Sequence, residues 1–447
     1  MGANQTLRVR TGADTRRELL SAITAKEATV GVVGLGYVGL PLATTAAKVG
    51  FPVVGFDRDE AKVAAVREGR LPADMLEDEA SGAAIAASPL DVTTDMERLA
   101  EVDVAVICVP TPLNKQGDPA LDAVVSAAEA IAAALHPGEL VILESTTYPG
   151  TTEEVLLPRL ERTGLAVGED FFLAFAPERI DPGNKEFTLA QIPRIVGGVT
   201  PACRDVACAL YSQLVEKVVP VSSARTAEMA KLLENTFRNV NIALVNELAQ
   251  LCRQWGIDMW EVVSAAATKP FGFMPFYPGP GVGGHCIPVD PVYLAWRARQ
   301  FGMESRFIEL ARYINAGMPR YVVQRIMEAL NEQGKPLKSS RVLVLGVAYK
   351  PNVSDTRESP SLEIIQELRQ RGAIVEYCDP YIPSITLGSA TLESVSFSGV
   401  RLASADCVVV VTNHSDFDWD MVGREAQLVV DTRNALRGRD TTRVVRL

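Results

Sequence analysis

The sequence predicts an α/β protein in which two Rossmann-like, doubly wound domains are joined by a long central helix and a helical middle domain. A strand, a glycine turn and a helix follow one another from Thr29, and a similar pattern begins near Ser339. Between them lies a helical run of about thirty residues, which is too long for an ordinary crossover helix. Strand patterns that alternate with helical patterns indicate parallel sheets covered by helices.

Composition limits the classes of protein that are possible. The chain has 447 residues, enough for two or three domains, and 47% hydrophobic with 22% charged residues is typical of globular proteins. A net charge of −11 argues against a nucleic-acid partner. No apolar run is long enough for a membrane span, and the N-terminus lacks a signal-peptide core. We therefore expect a cytoplasmic protein without a membrane partner.

Cysteine and histidine usage predicts neither a metal site nor disulfides. The seven cysteines show no metal-ligand spacing, and only three histidines are present. Reduced thiols are expected in the cytoplasm. A histidine-based catalytic triad is disfavoured for the same reason.

The first glycine turn has the spacing of a dinucleotide-binding fingerprint. Gly34, Gly36 and Gly39 follow the strand pattern TVGVVG, and Asp57 follows the next strand, FPVVGF. Such glycines let a pyrophosphate approach the helix N-terminus, and the carboxylate accepts hydrogen bonds from ribose hydroxyls. NAD is the expected cofactor because the carboxylate repels a 2′-phosphate. Arg58 leaves NADP open, and the alternative is that the glycines serve packing alone.

Further strand patterns complete this first domain, and a long helix follows it. The segments VDVAVICVP and GELVILEST alternate with helical runs. From about Arg225 a single helix is predicted, which suits a connector between domains or a dimer spine. Lys231, Asn235 and Arg238 share one face of it because they are spaced i, i+4 and i+7. That face is either a solvated polar stripe or a set of functional groups.

The segment from Phe273 to Pro291, FMPFYPGPGVGGHCIPVDP, predicts a rigid loop that presents a thiol. Its glycines and prolines restrict the backbone around Cys286. Asp290 is predicted as the N-cap, and Pro291 as the first residue, of a helix PVYLAWRARQFG. A thiolate is favoured near a helix N-terminus and is a nucleophile. The alternative is a structural turn with a buried cysteine.

A second nucleotide-binding pattern begins near Ser339. RVLVLGVAYK resembles TVGVVGLGYV, and QRGAIVEYCD resembles KVGFPVVGFD. Ala348 replaces the second glycine, and the turn expands into PNVSDTRESPS. Lys350 and Arg357 in this turn suit a phosphate bound mainly by side chains. The strand patterns CVVVVT and LVVDTR follow, and the second ends at Arg433.

Together these motifs resemble those of the UDP-glucose/GDP-mannose dehydrogenase family, the nucleotide-sugar 6-dehydrogenases. The resemblance runs from about Thr29 to the C-terminus through VGLGYVGLP, VPTP, ESTTYPGTT, APERI, AKLLENTFR, PGPGVGGHCIPVD, GVAYKPNVSDTRES and DTRNAL. It implies four parts. These are a polar leader at 1–27, an NAD-binding Rossmann domain at 28–224, a central helical and dimerisation domain at 225–330, and a UDP-sugar-binding Rossmann-like domain at 331–447.

The resemblance implies a four-electron oxidation of the primary alcohol at sugar C6 to a carboxylate, with two NAD per product. Cys286 is then expected to add to the C6 aldehyde as a thiohemiacetal, which is oxidised to a thioester that water hydrolyses. A homodimer or higher homo-oligomer is also implied, and the substrate is expected to be a UDP-sugar.

Site residues follow from the same resemblance, position by position. The catalytic set is Cys286, Lys231, Asn235, Glu178, Asp290 and Thr146. The cofactor set is Gly34, Gly36, Gly39, Tyr37, Val38, Asp57, Thr111, Thr146 and Arg357. The substrate set is Glu178, Arg179, Ile180, Lys231, Asn235, Arg238, Gly281, Tyr349, Lys350 and Arg433.

Each catalytic residue has an implied role. Lys231 and Asn235 stabilise developing oxyanions and hold the sugar. Glu178 and Thr146 position the hydrolytic water. Asp290 takes part in proton transfer.

The thiol segment also bears on the choice of substrate. It reads GGHCIPVD, with His285 and Val289, whereas UDP-glucose enzymes commonly read GGSCFPKD. With the flanking FMPFYPGPG and PVYLAWRAR, this resembles the branch that acts on UDP-N-acetylhexosamines, and UDP-N-acetylglucosamine is the expected substrate. UDP-N-acetylmannosamine, UDP-N-acetylgalactosamine and UDP-glucose remain alternatives.

Two other classes stay open. A single-step dehydrogenase of the 3-hydroxyacid type shares a glycine motif and a helix-borne Lys and Asn, but it needs neither Cys286 nor a second nucleotide domain. A non-catalytic nucleotide-sugar-binding protein requires the loss of a chemical group, whereas every catalytic position is occupied.

Overall fold

The chain folds into two compact α/β units, Met1–Glu234 and Asn235–Leu447, here called the N-terminal and C-terminal units. The computed structural model describes residues 12–72, 75, 79–87, 90–180, 187–439 and 443–447. The division between the units falls inside the long predicted helix, which covers Ala224–Gln254. Both units contain a parallel sheet, so the predicted fold class is confirmed.

The N-terminal unit alternates helices and strands. Its helices are α1 Gly12–Ala25, α2 Gly39–Val49, α3 Glu60–Arg67, α4 Glu79–Ala87, α5 Asp122–Ala134, α6 Leu157–Leu160, α7 Pro201–Leu214 and the beginning of α8 Ala224–Gln254. Its strands are β1 Val30–Val33, β2 Val53–Phe56, β3 Asp91–Thr93, β4 Val104–Ile107, β5 Leu140–Leu143, β6 Phe172–Phe175, β7 Arg194–Gly198 and β8 Val218–Val221.

The eight strands form one sheet in the order β3-β2-β1-β4-β5-β6-β7-β8. The first six have the order of a dinucleotide-binding fold, and ligands bind such sheets at the carboxyl ends of the strands where the order reverses. That reversal lies between β1 and β4, which pair in parallel from Val30 and Val104. The predicted parallel sheet has one exception, because β7 runs antiparallel to β6.

Both faces of this sheet are buried. Val30 and Val32 of β1 pack into the core on one face, whereas Val33 packs into the core on the other. Strands that helices cover on both sides need apolar residues at every position. This explains why the strand sequences are continuous apolar runs rather than alternating ones.

Part of the predicted polar leader is a helix that packs on the N-terminal unit. Residues 1–11 lie outside the described residues, and α1 follows directly. Leu19 and Ile23, spaced i, i+4, are buried in the core of the sheet. Arg16 pairs with Asp205 of α7 at 2.8 Å. This helix was not predicted from the sequence because its apolar stripe is narrow and half of its residues are polar.

The C-terminal unit contains the rest of α8 and the second sheet. Its helices are α9 Met259–Ala266, α10 Asp290–Gln300, α11 Arg306–Glu332, α12 Pro360–Gln370, α13 Gly399–Ser404 and α14 Trp419–Glu425. Its strands are β9 Arg341–Leu345, β10 Ile374–Cys378, β11 Ser384–Leu387, β12 Ala390–Glu393, β13 Cys407–Val410, β14 Val429–Asp431 and β15 Val444–Arg446.

The five-stranded sheet is wholly parallel, in the order β10-β9-β13-β14-β15, and β11 and β12 form a separate hairpin. This is the other common doubly wound order, and its reversal lies between β9 and β13. The residues that follow these two strands are therefore positioned for a ligand. Within the described ranges, no helix is both long and apolar enough to cross a lipid bilayer.

Candidate functional site

The glycine turn after β1 leaves space for a ligand at one of its three glycines. Gly34 has φ +97°, and a Cβ there would lie 2.7 Å from the carbonyl oxygen of Cys108. A Cβ on Gly39 would lie 1.8 Å from the oxygen of Gly34, so this glycine lets the helix approach the strand. Gly36 would meet no atom within 4 Å. Packing thus explains Gly34 and Gly39 but not Gly36, and the open side at Gly36 fits a pyrophosphate.

Asp57 lies at the carboxyl end of β2 and is tied to the glycine turn. Its Oδ2 accepts a hydrogen bond from the amide of Leu35 at 2.9 Å, and its Oδ1 accepts one from the amide of Asp59 at 3.0 Å. Thr111 follows β4 and Thr146 follows β5, so both lie towards the same edge of the sheet and both are partly buried. These residues fit NAD, which is a nucleotide with ribose hydroxyls and a pyrophosphate.

Lys231 and Glu178 are bonded to each other within the N-terminal unit. The ammonium of Lys231 donates to the backbone oxygen of Glu178 at 2.5 Å, and both residues are buried. Oε1 of Glu178 accepts from the amides of Arg179 at 2.6 Å and Ile180 at 2.7 Å. The guanidinium of Arg179 pairs with Glu234. The Glu178 carboxylate therefore anchors the turn that presents its own carbonyl to Lys231.

Glu178 belongs to a buried ionic cluster that was not predicted from the sequence. Arg194 of β7 contacts Glu178 and also Glu144, with Nη1 and Oε1 of Glu144 3.3 Å apart. The Tyr211 hydroxyl donates to the Glu144 carboxylate. The sulfur of Cys108 lies 3.7 Å from Oε2 of the same carboxylate. Burial raises the pKa of Glu144 to about 7, although the charge of Arg194 acts in the opposite direction. The sequence signal was a carboxylate directly after the apolar run LVIL.

The predicted cap of the helix after the thiol loop is wrong. The helix α10 begins at Asp290 itself, and its N-cap is Val289, which makes no side-chain capping bond. The amides of Val289 and Asp290 instead donate to the carbonyl of Cys286, at 3.1 and 2.8 Å. The Asp290 carboxylate accepts from the side-chain amide of Asn235 at 2.5 Å. The capping prediction failed because Asn235, which is distant in sequence, binds the Asp290 carboxylate.

Cys286 lies on the loop from residue 273 to 289, here called the thiol loop. Its side chain is half-buried, four residues before α10. None of the seven cysteines forms a disulfide. The structure therefore places Cys286 near a helix N-terminus, as predicted.

The thiol loop rests on the carboxyl edge of the second sheet through its glycines. A Cβ on Gly279 would lie 2.8 Å from Nη1 of Arg433, which follows β14. A Cβ on Gly284, whose φ is +85°, would lie 2.8 Å from the ring of Tyr349, which follows β9. Gly281 has φ +133° and little room beside Pro360. Any larger residue at these positions would push the thiol loop away from the sheet.

Arg433 places a positive charge at the carboxyl edge of the second sheet. Its Nε donates to the backbone oxygen of Val411 at 2.8 Å. Among the residues that the structure describes, no carboxylate forms a salt bridge with it. Burial lowers its pKa to about 10, although Asp431 acts in the opposite direction. A guanidinium that lacks a carboxylate partner is suited to a phosphate.

The turn after β9 carries the other two predicted cations. Nζ of Lys350 lies 5.8 Å from the centre of the Tyr349 ring. Arg357 is half-exposed and pairs with Asp355 at 2.6 Å. Its backbone oxygen accepts from the amide of Gly284 at 2.9 Å, so this turn also binds the thiol loop. The assignment of Arg357 to the cofactor stays a prediction.

The polar face of α8 is not a solvated stripe at its first two positions. Lys231 and Asn235 are each 7% exposed, whereas Arg238 is exposed. The solvated-face alternative is therefore wrong for Lys231 and Asn235. An ammonium and an amide that are buried one turn apart each need a partner, and both have one.

Three further asparagines anchor the start of the thiol loop. Asn246 accepts from the amide of Gly279 at 2.9 Å and donates to Asn315 of α11 at 3.0 Å. Asn315 in turn donates to the side chain of Asn239 at 2.8 Å. All three are buried. These asparagines were not predicted from the sequence, although repeated Asn within one helix is a signal, since Asn is a poor helix former.

Three family models match this chain in succession. The NAD binding domain of the UDP-glucose/GDP-mannose dehydrogenase family matches residues 28–215, the central domain of that family matches 225–317, and its UDP binding domain matches 343–438.

Characterised relatives and solved structures agree with these matches. The UDP-N-acetyl-D-glucosamine 6-dehydrogenase of Pseudomonas aeruginosa is 40% identical over 362 residues, which is 80% of this chain and 84% of that protein. The UDP-N-acetyl-D-mannosamine dehydrogenase of Pyrococcus horikoshii is 37% identical over 91% of this chain and 96% of that protein. A solved UDP-D-ManNAc dehydrogenase structure from Pyrococcus horikoshii superposes with a TM-score of 0.84 at 34% identity, covering 94% of this chain and 98% of that one.

Proposed function

The chain belongs to the UDP-glucose/GDP-mannose dehydrogenase family, and on that basis we propose that it oxidises the C6 alcohol of a UDP-N-acetylhexosamine to the uronic acid. UDP-N-acetylglucosamine is the first candidate substrate. The observation that carries the proposal is the thiol loop, in which the backbone oxygen of Cys286 accepts from the amide of Asp290, whose buried carboxylate binds Asn235. That loop rests against the nucleotide-binding edge of the C-terminal unit.

The UDP group is bound by the C-terminal unit. Arg433 has no carboxylate partner among the described residues, and it lies at the carboxyl edge where parallel sheets bind nucleotides. Tyr349 and Lys350 lie on the turn after β9 at the same edge. A planar guanidinium binds a phosphate through two hydrogen bonds, so Arg433 contributes orientation as well as charge.

NAD is held by the N-terminal unit, at Gly36, Asp57 and the residues after β4 and β5. When bound, it accepts the hydride that leaves C6 in each of the two oxidations. Asp57 binds the adenosine ribose and disfavours the 2′-phosphate of NADP. Two NAD are reduced for each product because the conversion of an alcohol to a carboxylate removes four electrons.

The thiol of Cys286 retains the intermediate on the protein. After the first oxidation its Sγ bonds to C6 of the aldehyde, and the carbonyl oxygen takes up a proton to give a thiohemiacetal. The second oxidation removes a hydride and the hydroxyl proton, which leaves a thioester. Water then attacks C6, the C–S bond breaks, and the carboxylate departs as the thiol is restored.

Polar groups on α8 and α10 stabilise the charges that develop at C6. Lys231 and Asn235 are buried, so their interaction with an oxyanion is stronger than it is in water. Asp290 accepts a proton or holds Asn235 in position. Glu178 and Thr146 position the hydrolytic water. The two backbone amides and Arg194 that bind the Glu178 carboxylate keep it in a single orientation.

The segment Phe271 to Pro291 is the proposed origin of substrate selectivity. It departs from the UDP-glucose pattern at His285 and Val289. Discriminating an acetamido group from a hydroxyl requires room for a methyl group and hydrogen-bond partners for the amide. A site built for those contacts leaves polar groups unpaired when UDP-glucose binds, so discrimination is expected to be large.

An NADH assay across four UDP-sugars tests the proposal. We expect the highest kcat/KM with UDP-N-acetylglucosamine, a value at least about tenfold lower with UDP-glucose, and two NADH per uronic acid by product mass. A preference for UDP-N-acetylmannosamine or UDP-N-acetylgalactosamine would change the sugar but keep the reaction. One NADH per product would exclude the thioester route, and no NADH with any sugar would favour a binding protein.

A second copy of the chain is the proposed partner. An exposed apolar row runs along α8 and just beyond its end in the C-terminal unit, and it includes Leu244, Leu248, Leu251 and Trp255. The family resemblance predicts dimerisation through this part of the chain. Light scattering coupled to size exclusion tests it: Leu248→Glu is expected to give monomers, and a monomeric parent protein would contradict the proposal.

A further inference from the structure

A cationic pocket lies in the C-terminal unit, outside the thiol loop and outside the carboxyl edge of the second sheet. Its volume is about 260 Å³, and its walls are the end of α8, the second half of α11 and the strand β15. Three guanidinium groups line it, from Arg253, Arg325 and Arg446. Nothing in the proposed oxidation uses these residues.

Two of the arginines that line the pocket each have a buried N–H group that lacks an acceptor among the described residues. Arg325 is 2% exposed, and its Nε has no hydrogen-bond partner among the described residues. The same is true of Nε of Arg446. One turn before Arg325, the buried hydroxyl of Tyr321 also lacks a described partner. Buried donors without acceptors destabilise a fold, so the described residues leave the positive charge beside this pocket incompletely satisfied.

The charges around the pocket are not balanced. Glu328 accepts from Arg325 at 2.6 Å and contacts Arg253 at 3.2 Å. One carboxylate therefore pairs with two guanidinium groups. Glu332 lines the pocket as well but is exposed to solvent. Among the described residues, the acceptor of the Arg446 guanidinium is the backbone oxygen of Leu436, at 3.4 Å. Burial and the neighbouring charge of Arg253 lower the pKa of Arg325, although Glu328 acts in the opposite direction.

We propose that this pocket binds a phosphate group, either inorganic phosphate or the phosphoryl group of a small phosphomonoester. Arg325 and Arg446, which line the pocket, donate to its oxygens through their guanidinium groups, and Arg253 contributes charge. The volume exceeds that of a bare phosphate, which leaves room for a small organic substituent. Binding joins α8, α11 and β15, so it stabilises the C-terminal unit.

Thermal unfolding of the full chain tests the proposal. Inorganic phosphate and glycerol 3-phosphate are titrated separately against potassium chloride at equal ionic strength. We expect at least one of them to raise Tm by about 2–4 °C beyond chloride. The stronger of the two identifies the source of the phosphoryl group, and no rise with either overturns the proposal.

Variants distinguish this pocket from the proposed UDP site. Arg446→Gln and Arg253→Gln are expected to lose most of the phosphate-dependent rise, measured within each variant so that any loss of basal stability cancels. Arg433→Gln, at the proposed UDP site, is expected to keep the rise, and so is the parent protein saturated with UDP. A rise that persists in Arg446→Gln, or that UDP abolishes, would assign the phosphate to another site. The proposed oxidation is unaffected by either result.

Discussion

The side-chain amide of Asn235 donates to the carboxylate of Asp290 at 2.5 Å, and both side chains are almost fully buried. This bond ties the first residue of α10 to the middle of α8. Hydrogen bonds to a charged group are about twice as strong as neutral ones. The pair therefore fixes the position of the thiol loop, which ends one residue before Asp290.

Replacing Asp290 by Asn tests this pair. The substitution keeps the shape but removes the charge, so Asn235 loses its charged acceptor and proton transfer through Asp290 is abolished. We expect kcat to fall by about two orders of magnitude, with a smaller change in KM. Asp416→Asn, at an exposed position, is the matched control. Near-parent kcat in Asp290→Asn would leave the pair with a structural role only.

Replacing Cys286 tests the covalent route. Cys286→Ala is expected to lower overall turnover by several orders of magnitude, because no thioester forms, while UDP-sugar binding by calorimetry stays within about threefold of the parent. Cys286→Ser is expected to accumulate a covalent ester, visible as a mass increase, since an alkoxide is a poorer leaving group than a thiolate. Near-normal turnover in Cys286→Ala would contradict the thioester mechanism.

Asp57 is expected to set the cofactor preference. Asp57→Ala should weaken NAD more than NADP, because it removes the ribose contact and the repulsion of the 2′-phosphate. Asp57→Asn keeps an oxygen for the amide of Leu35, so it separates the charge from the anchoring of the turn. The ratio of kcat/KM for the two cofactors is measured for each variant. A parent enzyme that already prefers NADP would show that Arg58 dominates.

Asn246 is expected to matter for both stability and turnover. Asn246→Ala removes the acceptor of the Gly279 amide and the donor to Oδ1 of Asn315, which costs about 1–3 kcal/mol for each buried group. The loop that carries Cys286 then loses its anchor, so kcat should fall together with Tm. Asn241→Ala is the matched control, since Asn241 is half-buried on the same helix and, among the described residues, its side chain donates to the backbone oxygen of Phe237. Equal effects of the two substitutions would contradict this role.

The stability of the N-terminal unit is expected to depend on the protonation of Glu139. Burial raises the pKa of this carboxyl from 4.5 to about 8, with the charge of Asp103 in the same direction and the amide of His136 in the opposite one. Between pH 4.5 and 8 the unfolded chain is ionised at this position while the folded chain keeps its proton, so stability falls as pH rises through that window. The slope is at most about 1.4 kcal/mol per pH unit.

Glu139→Gln removes this dependence, because glutamine resembles the protonated carboxyl at every pH. The Tm of the variant minus that of the parent should grow steadily from pH 5 to pH 8, by calorimetry. Glu97→Gln, an exposed position in the same unit, is expected to show a constant difference. A flat difference for Glu139→Gln would mean that the buried carboxyl ionises without cost.

The sequence alone predicted the two nucleotide-binding folds, the long helix and the thiol loop. Each depends on neighbours in the chain: an apolar run becomes a buried strand, and a glycine such as Gly34 permits a backbone angle that other residues resist. The same reasoning from neighbouring residues predicted the wrong N-cap at Asp290. An acidic residue directly before a proline is expected to cap a helix when its distant partner is not known.

Only the tertiary structure decided how the buried polar groups are paired. Asn235 bonds to a carboxylate 55 residues away, and Arg194 bonds to Glu144 at a separation of 50 residues. Asn246 reaches Asn315 across 69 residues. A buried donor takes whichever acceptor the packing of helices and strands brings within about 3 Å. That distance depends on the whole fold, so no local pattern specifies it.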